Sequence, residues 1–268
     1  MTERAPGKVN LSLFIGAPRA DGLHPLVSVV QAVTLADELT MSPADVDEVV
    51  CPGIEGENLA LRALRAFRER TGWDGPPQRI TIAKRIPVAA GMGGGSADAA
   101  AALRLAARAA GGVPDALLHE LAVSLGADIP SLLHPGRVLM TGAGENVARL
   151  PDPEPFGLLI VPSAAALSTP AVYREFDRLA GARSPDELAA REAEALAGDV
   201  PPVNDLQDAA RSLCPDIDPV LDAVRAAGAA TAMVSGSGPT VFGVFDDAEQ
   251  ARTAAAALPG AIAAEPAR

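Results

Sequence analysis

Arg79-Ile80-Thr81-Ile82-Ala83-Lys84-Arg85-Ile86 runs directly into Pro87-Val88-Ala89-Ala90-Gly91-Met92-Gly93-Gly94-Gly95-Ser96-Ala97-Asp98-Ala99-Ala100. The first segment alternates apolar and polar residues, the period of a strand with one buried face, and an alanine-rich run to Ala110 has helical composition. The glycines at 91, 93, 94 and 95 therefore sit at a strand-to-helix passage. Lacking side chains, they open backbone conformations closed to other residues and let amide N–H groups approach an anion. The following helix adds its first free N–H groups and its positive dipole end, and Ser96 is placed to cap it. Together these features make a phosphate cradle. It is not a Walker A loop, because Ser96-Ala97 stands where Lys-Ser/Thr is required, and the dinucleotide pattern Gly-x-Gly-x-x-Gly/Ala fails at Ser96.

Upstream, Lys8-Val9-Asn10-Leu11-Ser12-Leu13-Phe14-Ile15 alternates cleanly. It reads as a half-buried strand with Lys8 and Asn10 side by side on its polar face. A turn-rich break containing His24 precedes two further strands, Leu26 to Val33 and Leu35 to Met41, and Glu48 to Cys51 reads as a short one. Leu61, Leu64 and Phe67 mark a helical stripe after Asn58, and Leu117, Leu118, Leu121 and Leu125 mark another, ended by Gly126 just before Asp128. A strand at Arg137–Thr141 reaches the turn Gly142-Ala143-Gly144, and the proline-rich stretch Pro151–Pro155 reads as a domain boundary, giving domains 1–152 and 153–268. Beyond it come a buried strand at 156–161, helices near 170–181, 185–197, 205–213 and 218–227, two strands around the bend Ser235-Gly236-Ser237-Gly238, then a helix and a short strand. That order suggests a split βαβ layer of ferredoxin type.

Composition narrows the function classes. The chain has 268 residues, 49% of them hydrophobic, enough for a large core. Its 22 Lys and Arg against 34 Asp and Glu give a net charge of −12, which argues against a nucleic-acid surface or an anionic membrane. No apolar run reaches spanning length, and Met1-Thr2-Glu3-Arg4-Ala5-Pro6 lacks the apolar segment of a signal peptide, so a cytoplasmic protein is expected. Cys51 and Cys214 stand alone, without zinc-ligand spacing, and read as ordinary reduced thiols.

Three separated segments agree on one family. Ala5-Pro6-Gly7-Lys8-Val9-Asn10-Leu11, the loop Pro87–Ala100 and Val234-Ser235-Gly236-Ser237-Gly238-Pro239-Thr240 resemble, in order and spacing, the three motifs of the GHMP small-molecule kinases. The resemblance implies an α+β, two-lobed GHMP kinase fold, with a ribosomal-protein-S5-like N-terminal lobe, a ferredoxin-like C-terminal lobe and a cleft faced by both glycine bends. It also implies phosphoryl transfer from ATP, with Mg²⁺, to an alcohol.

Within the family, Arg19–His24, Asn58-Leu59, Gly126–Pro130 and Leu167–Pro170 are similar to the branch whose acceptor is a small cytidylyl compound. Residue by residue, this resemblance implies catalytic roles for Lys8 and Asp128, ATP contacts from Pro87 to Ala97 with Lys84 and Asn58, and acceptor contacts from Asn10, His24, Thr169, Tyr173, Gly236 and Gly238. Leu23 departs from the pattern, standing where the family has an aromatic residue that stacks on cytosine, and Tyr173 falls at the position of a second stacking ring. Asp128 is either a general base or an orienting group; Ser96 is either a helix cap or a Mg²⁺ ligand. Partners are the cytidylyl acceptor and ATP, with no nucleic acid or membrane, and a monomer or weak homodimer is expected. The alternatives are a GHMP kinase for a mevalonate, homoserine or sugar-type alcohol, and a non-catalytic nucleotide-binding regulator.

Overall fold

The computed structural model describes residues 1–268 apart from Glu55, Ala89, Ala164, Ala166 and Arg268. It divides into two compact units, discontinuous in sequence: Met1–Gly7, Leu35–Pro87 and Gly93–Pro135 form the first, and Lys8–Thr34, Val88–Met92 and Gly136–Arg268 the second. The Pro151–Pro155 stretch lies within the second unit. Strands β1 (Thr2–Ile15) and β2 (Leu26–Pro43) pair with each other and contribute residues to both.

In the first unit, β4 (Gln78–Ala83) lies antiparallel to the 38–43 part of β2 and parallel to β3 (Glu48–Val50). The expected alternation of β4 is observed, with Ile80 and Ile82 buried and Arg79 and Thr81 exposed. Helices α1 (Leu59–Thr71), α2 (Gly94–Ala109) and α3 (Asp115–Leu125) complete a core of Leu39, Met41, Leu64, Phe67, Ile80, Ile82, Leu103, Leu118 and Leu121. Alanines at 97, 99–102, 106 and 107 are part of that core, and their short side chains let α2 lie close against α1. A one-turn helix, α4 (Ile129–Leu132), follows Asp128; its brevity gives it no periodic pattern to read in sequence.

In the second unit, β5 (Arg137–Thr141) pairs with the 28–31 part of β2 and forms a hairpin with β6 (Asn146–Arg149). The strand β6 is mostly exposed and carries no apolar alternation, so sequence reading passes over it. Strands β7 (Gly157–Val161), β8 (Thr231–Val234), β9 (Val241–Phe245) and β10 (Ile262–Ala264) form a sheet of order β10-β7-β9-β8, antiparallel throughout. Helices α5 (Thr169–Arg178), α6 (Pro185–Leu196), α7 (Gln207–Leu213) and α8 (Ile217–Ala226) separate β7 from β8, and α9 (Ala248–Ala257) separates β9 from β10. This is the expected ferredoxin-type layer.

Two expectations need correction. Leu26–Pro43 is one continuous strand rather than two, because Thr34 is a good strand former and its N–H donates to the Glu265 carbonyl at 2.8 Å. Nor is β1 half-buried: from Ala5 to Ile15 both of its faces are covered, so Lys8 and Asn10 are interior residues, 4% and 5% exposed.

Candidate active site

A buried ammonium needs partners, since desolvation penalises its charge. Strand periodicity puts Lys8, Asn10 and Ser12 on one face of β1, and the Lys8 Nζ donates to Asn10 Oδ1 at 2.7 Å. Asn10 Nδ2 donates in turn to Ser28 Oγ at 2.9 Å, and that hydroxyl donates to the Ser12 carbonyl at 2.6 Å. The backbone N–H of Lys8 donates to the Met92 carbonyl at 3.0 Å, tying the end of the 88–92 segment to the same strand.

The two glycine bends meet in the second unit. Gly91 has φ 70°, and a Cβ there would stand 2.8 Å from the Gly238 carbonyl oxygen and 2.9 Å from that of Ser235. No side chain fits between them, and Ser235 Oγ donates to the Gly91 carbonyl at 3.3 Å. Gly236, with φ 57°, lies over the lysine: a Cβ there would be 3.2 Å from Asn10 Oδ1 and 3.4 Å from Lys8 Nζ. Lys8, Asn10, Gly91, Gly236 and Gly238 are thus brought together. At the start of α5, Thr169 Oγ1 is 2.9 Å from Ser237 Oγ, adding a hydroxyl pair from the same bend.

His24 faces α5. Its Nε2 is 2.8 Å from Asp177 Oδ1, and its ring centroid lies 4.9 Å from that of Tyr173 and 6.2 Å from that of Phe176. Tyr173, Phe176 and Asp177 share one helical face, so α5 seats the imidazole on two rings and a carboxylate. Leu23, in the position where the family has the aromatic residue, is 52% exposed.

In the first unit, Gly93 (φ 67°) is the N-cap residue of α2, without a side-chain cap bond. Ser96 lies inside the first turn, which corrects its assignment as the helix cap. The first amides of a helix lack intrahelical acceptors, and this turn carries no acidic side chain, a combination that suits an anion. Pro87 precedes this turn, Val88 is 66% exposed, Ala90, Met92 and Ala97 are buried, and Ala89 lies outside the described residues. Asn58 caps α1, its Oδ1 accepting from the Ala60 N–H at 2.9 Å. Asp128 stands immediately before α4 without capping it, and its carbonyl accepts from Ser131 Oγ at 2.8 Å.

Lys84 proves to be the centre of a charged cluster that sequence reading did not identify. Its Nζ bridges Asp37 Oδ2 at 2.5 Å and Asp98 Oδ2 at 2.8 Å. Burial opposes its charge, but the bonds to the two carboxylates outweigh that and raise its pKa. Asp37, with a fully buried side chain, also accepts the N–H groups of Arg85 at 2.5 Å and Ile86 at 2.8 Å through Oδ1. Burial pushes the Asp98 carboxyl up to about 7, with Lys84 pulling against it and the nearby Asp37 charge adding to the rise. One signal was available: Asp37 falls in phase with Leu39 and Met41 on the core face of β2. Among the described residues there is no group of three or more His, Cys, Asp or Glu side chains arranged to hold a metal, and no helix long and apolar enough to cross a membrane.

Comparison with known proteins bears on the family and the fold. The family described as GHMP kinases N terminal domain matches residues 58–136, and GHMP kinases C terminal matches 179–263. A 4-diphosphocytidyl-2-C-methyl-D-erythritol kinase of Streptomyces avermitilis is 43% identical over 275 residues, spanning 96% of this chain and 92% of its own. One of Streptomyces coelicolor is 45% identical over 276 residues, with the same two coverages. A crystal structure of 4-(cytidine 5'-diphospho)-2C-methyl-D-erythritol kinase matches with a TM-score of 0.84 and 34% identity, covering 100% of both chains. Mevalonate kinase of Methanococcus jannaschii, at 13% identity, shares the fold, with a TM-score of 0.70 over 100% of this chain and 98% of its own. The chain belongs to the GHMP kinases.

Proposed function

We propose that this chain transfers the γ-phosphoryl group of ATP to the 2-hydroxyl of 4-diphosphocytidyl-2-C-methyl-D-erythritol, releasing the 2-phosphate and ADP, in the non-mevalonate route to isoprenoid precursors. The observation that carries the reading is the buried Lys8–Asn10 pair beneath the Gly236 turn, in a chain 43% and 45% identical to kinases of that name. Its family domains run over 1–152 and 153–268, and it works in the cytoplasm as a monomer or weak homodimer.

Phosphoryl transfer asks a protein for alignment and charge compensation, with little covalent work of its own. A bond forms from the acceptor 2-oxygen to the γ-phosphorus while the bond to the β-phosphate oxygen breaks. Asp128 orients the hydroxyl or takes its proton, and Lys8 balances the charge that develops. Residues Pro87–Ala97 hold the triphosphate through backbone N–H groups and the start of α2. Lys84 and Asn58 serve the nucleotide side, Lys84 by clamping the flanks of the loop to Asp37 and Asp98. The first turn of α2, with amides and a hydroxyl but no acidic cluster, fits a cation that arrives bound to phosphate oxygens, and Ser96 is the residue that would hold it. Mg²⁺ so bound would supply charge neutralisation at the phosphates. On the acceptor side, Asn10, Thr169, Gly236 and Gly238 line the sugar-like portion, and His24 with Tyr173 takes the base.

A coupled ADP-release assay with the cytidylyl acceptor, beside mevalonate and homoserine, tests the reading. ADP is expected with the cytidylyl compound alone, and Asp128→Asn should lower the rate roughly 10²- to 10⁴-fold. Release with mevalonate or homoserine and none with the cytidylyl acceptor would overturn the substrate. A folded Asp128→Asn enzyme with full turnover would remove that residue from the chemistry.

A further inference from the structure

Asn204 is 8% exposed and uses both ends of its amide. Nδ2 donates to the Val234 carbonyl and to the Gly236 carbonyl, each at 2.8 Å, while Oδ1 accepts from the Leu206 N–H at 3.0 Å. The first carbonyl ends β8 and the second belongs to the bend that lies over Lys8. The backbone beside Asn204 is bonded to β1: Leu13 N–H donates to the Val203 carbonyl at 2.7 Å, and Asp205 N–H donates to the Leu13 carbonyl at 2.9 Å. A single residue is therefore riveted through its main-chain neighbours to the strand that carries Lys8 and Asn10, and through its side chain to the Gly236 turn.

Nearby contacts hold the turn at other points. Gln207 Oε1 accepts from the Val234 N–H at 3.0 Å, and Ser235 N–H donates to the Thr240 carbonyl at 2.9 Å. Only Asn204, among the described residues, reaches the carbonyls on both sides of Ser235 with one amide group. A turn of two positive-φ glycines has many alternative conformations, so its position depends on such bonds.

We propose that Asn204 is a positioning residue for phosphoryl transfer, holding the Gly236 turn in register with Lys8 and Asn10. The inference rests on the reaction assigned above, and it concerns turnover rather than nucleotide binding. Displacement of a positioning element by about 1 Å can cost on the order of 10²-fold in rate.

Asn204→Asp is the sharpest test. It keeps the shape and the acceptor for Leu206, but sets carboxylate lone pairs against two carbonyls. The expected result is a fall in kcat of about 10²-fold, a KM for ATP within about 3-fold of wild type, and faster hydrogen exchange at the 235–238 amides. Asn204→Gln, which retains the amide one methylene out of place, should show the same pattern with a loss of about 10-fold. Val224→Ala, a cavity in the core of the same unit, serves as the stability control. Wild-type kcat in both Asn204 variants overturns the proposal, as does a kcat loss that Val224→Ala reproduces at equal melting temperature. If the wild-type protein releases no ADP with the cytidylyl acceptor, the assigned reaction fails; exchange at 235–238 still judges the hold of Asn204 on the turn, and unchanged exchange in both variants overturns it.

Discussion

Two buried polar clusters, one in each unit, are held by different means. In the first, one ammonium and two carboxylates, Lys84 with Asp37 and Asp98, are taken out of water together. In the second, the buried Lys8 ammonium donates into a run of neutral amides and hydroxyls from Asn10 through Ser28 to Ser12, and the Asn204 amide reaches the carbonyls around Ser235. A charged cluster is strong only while every partner is present, because any group left over is a bare charge in a poor solvent. A neutral network loses one hydrogen bond at a time. The charged device pins both flanks of the glycine-rich loop, Arg85 and Ile86 at the strand exit and Asp98 in α2. The neutral device sets the height of the Gly236 turn over Lys8, where a second strong charge would compete with the ammonium.

Removing the shared cation should break this contrast most forcefully. Lys84→Met leaves Asp37 and Asp98 facing each other in the interior, and a loss of about 3–5 kcal/mol in unfolding free energy is expected. Urea denaturation at neutral pH measures it. A loss below 1 kcal/mol would mean that water reaches the cluster and that its charges are not truly buried.

The charged cluster should also titrate where the neutral one does not. Asp98 has a folded pKa near 7 against an ordinary 3.8, so between those values the folded state binds the proton more tightly than the unfolded one. The stability contribution is therefore full below about pH 4 and is lost as pH rises through about 7. Asp98→Asn removes this slope, so the variant should gain on wild type by up to about 1.4 kcal/mol per pH unit across that window. Parallel wild-type and Asp98→Asn curves of urea midpoint against pH would show that the carboxyl is ionised throughout.

What could be read from the letters follows the same division. Amphipathic helices and alternating strands announce themselves through local periodicity, which is why the ferredoxin-type layer and the loop-to-helix passage are legible. Lys8, Asn10 and the glycine bends lie in segments whose own pattern marks them. Asn204 does not, because Asn204-Asp205 before a helix looks like an ordinary cap, and its decisive partners lie 30 and 32 residues downstream. Asp98 reads as one polar residue in an alanine helix until Lys84, 14 residues earlier, is folded against it. Burial of the polar face of β1 is equally invisible, since alternation reports two faces but not what covers the second.

The smallest effect should come from the neutral network, and its flatness with pH is the informative part. Ser28→Ala deletes the hydroxyl that accepts from Asn10 and donates to the Ser12 carbonyl, at a cost of about 1 kcal/mol. No ionisable group is removed, so the same deficit is expected at pH 5 and at pH 8. Turnover should fall only several-fold, because Asn10 keeps its bond from Lys8 and loses one of two restraints. Urea midpoints at the two pH values, with kcat at each, decide the matter. A deficit that changes between the two pH values would show that the Ser28 hydroxyl is coupled to a titrating group and erase the distinction between the two clusters.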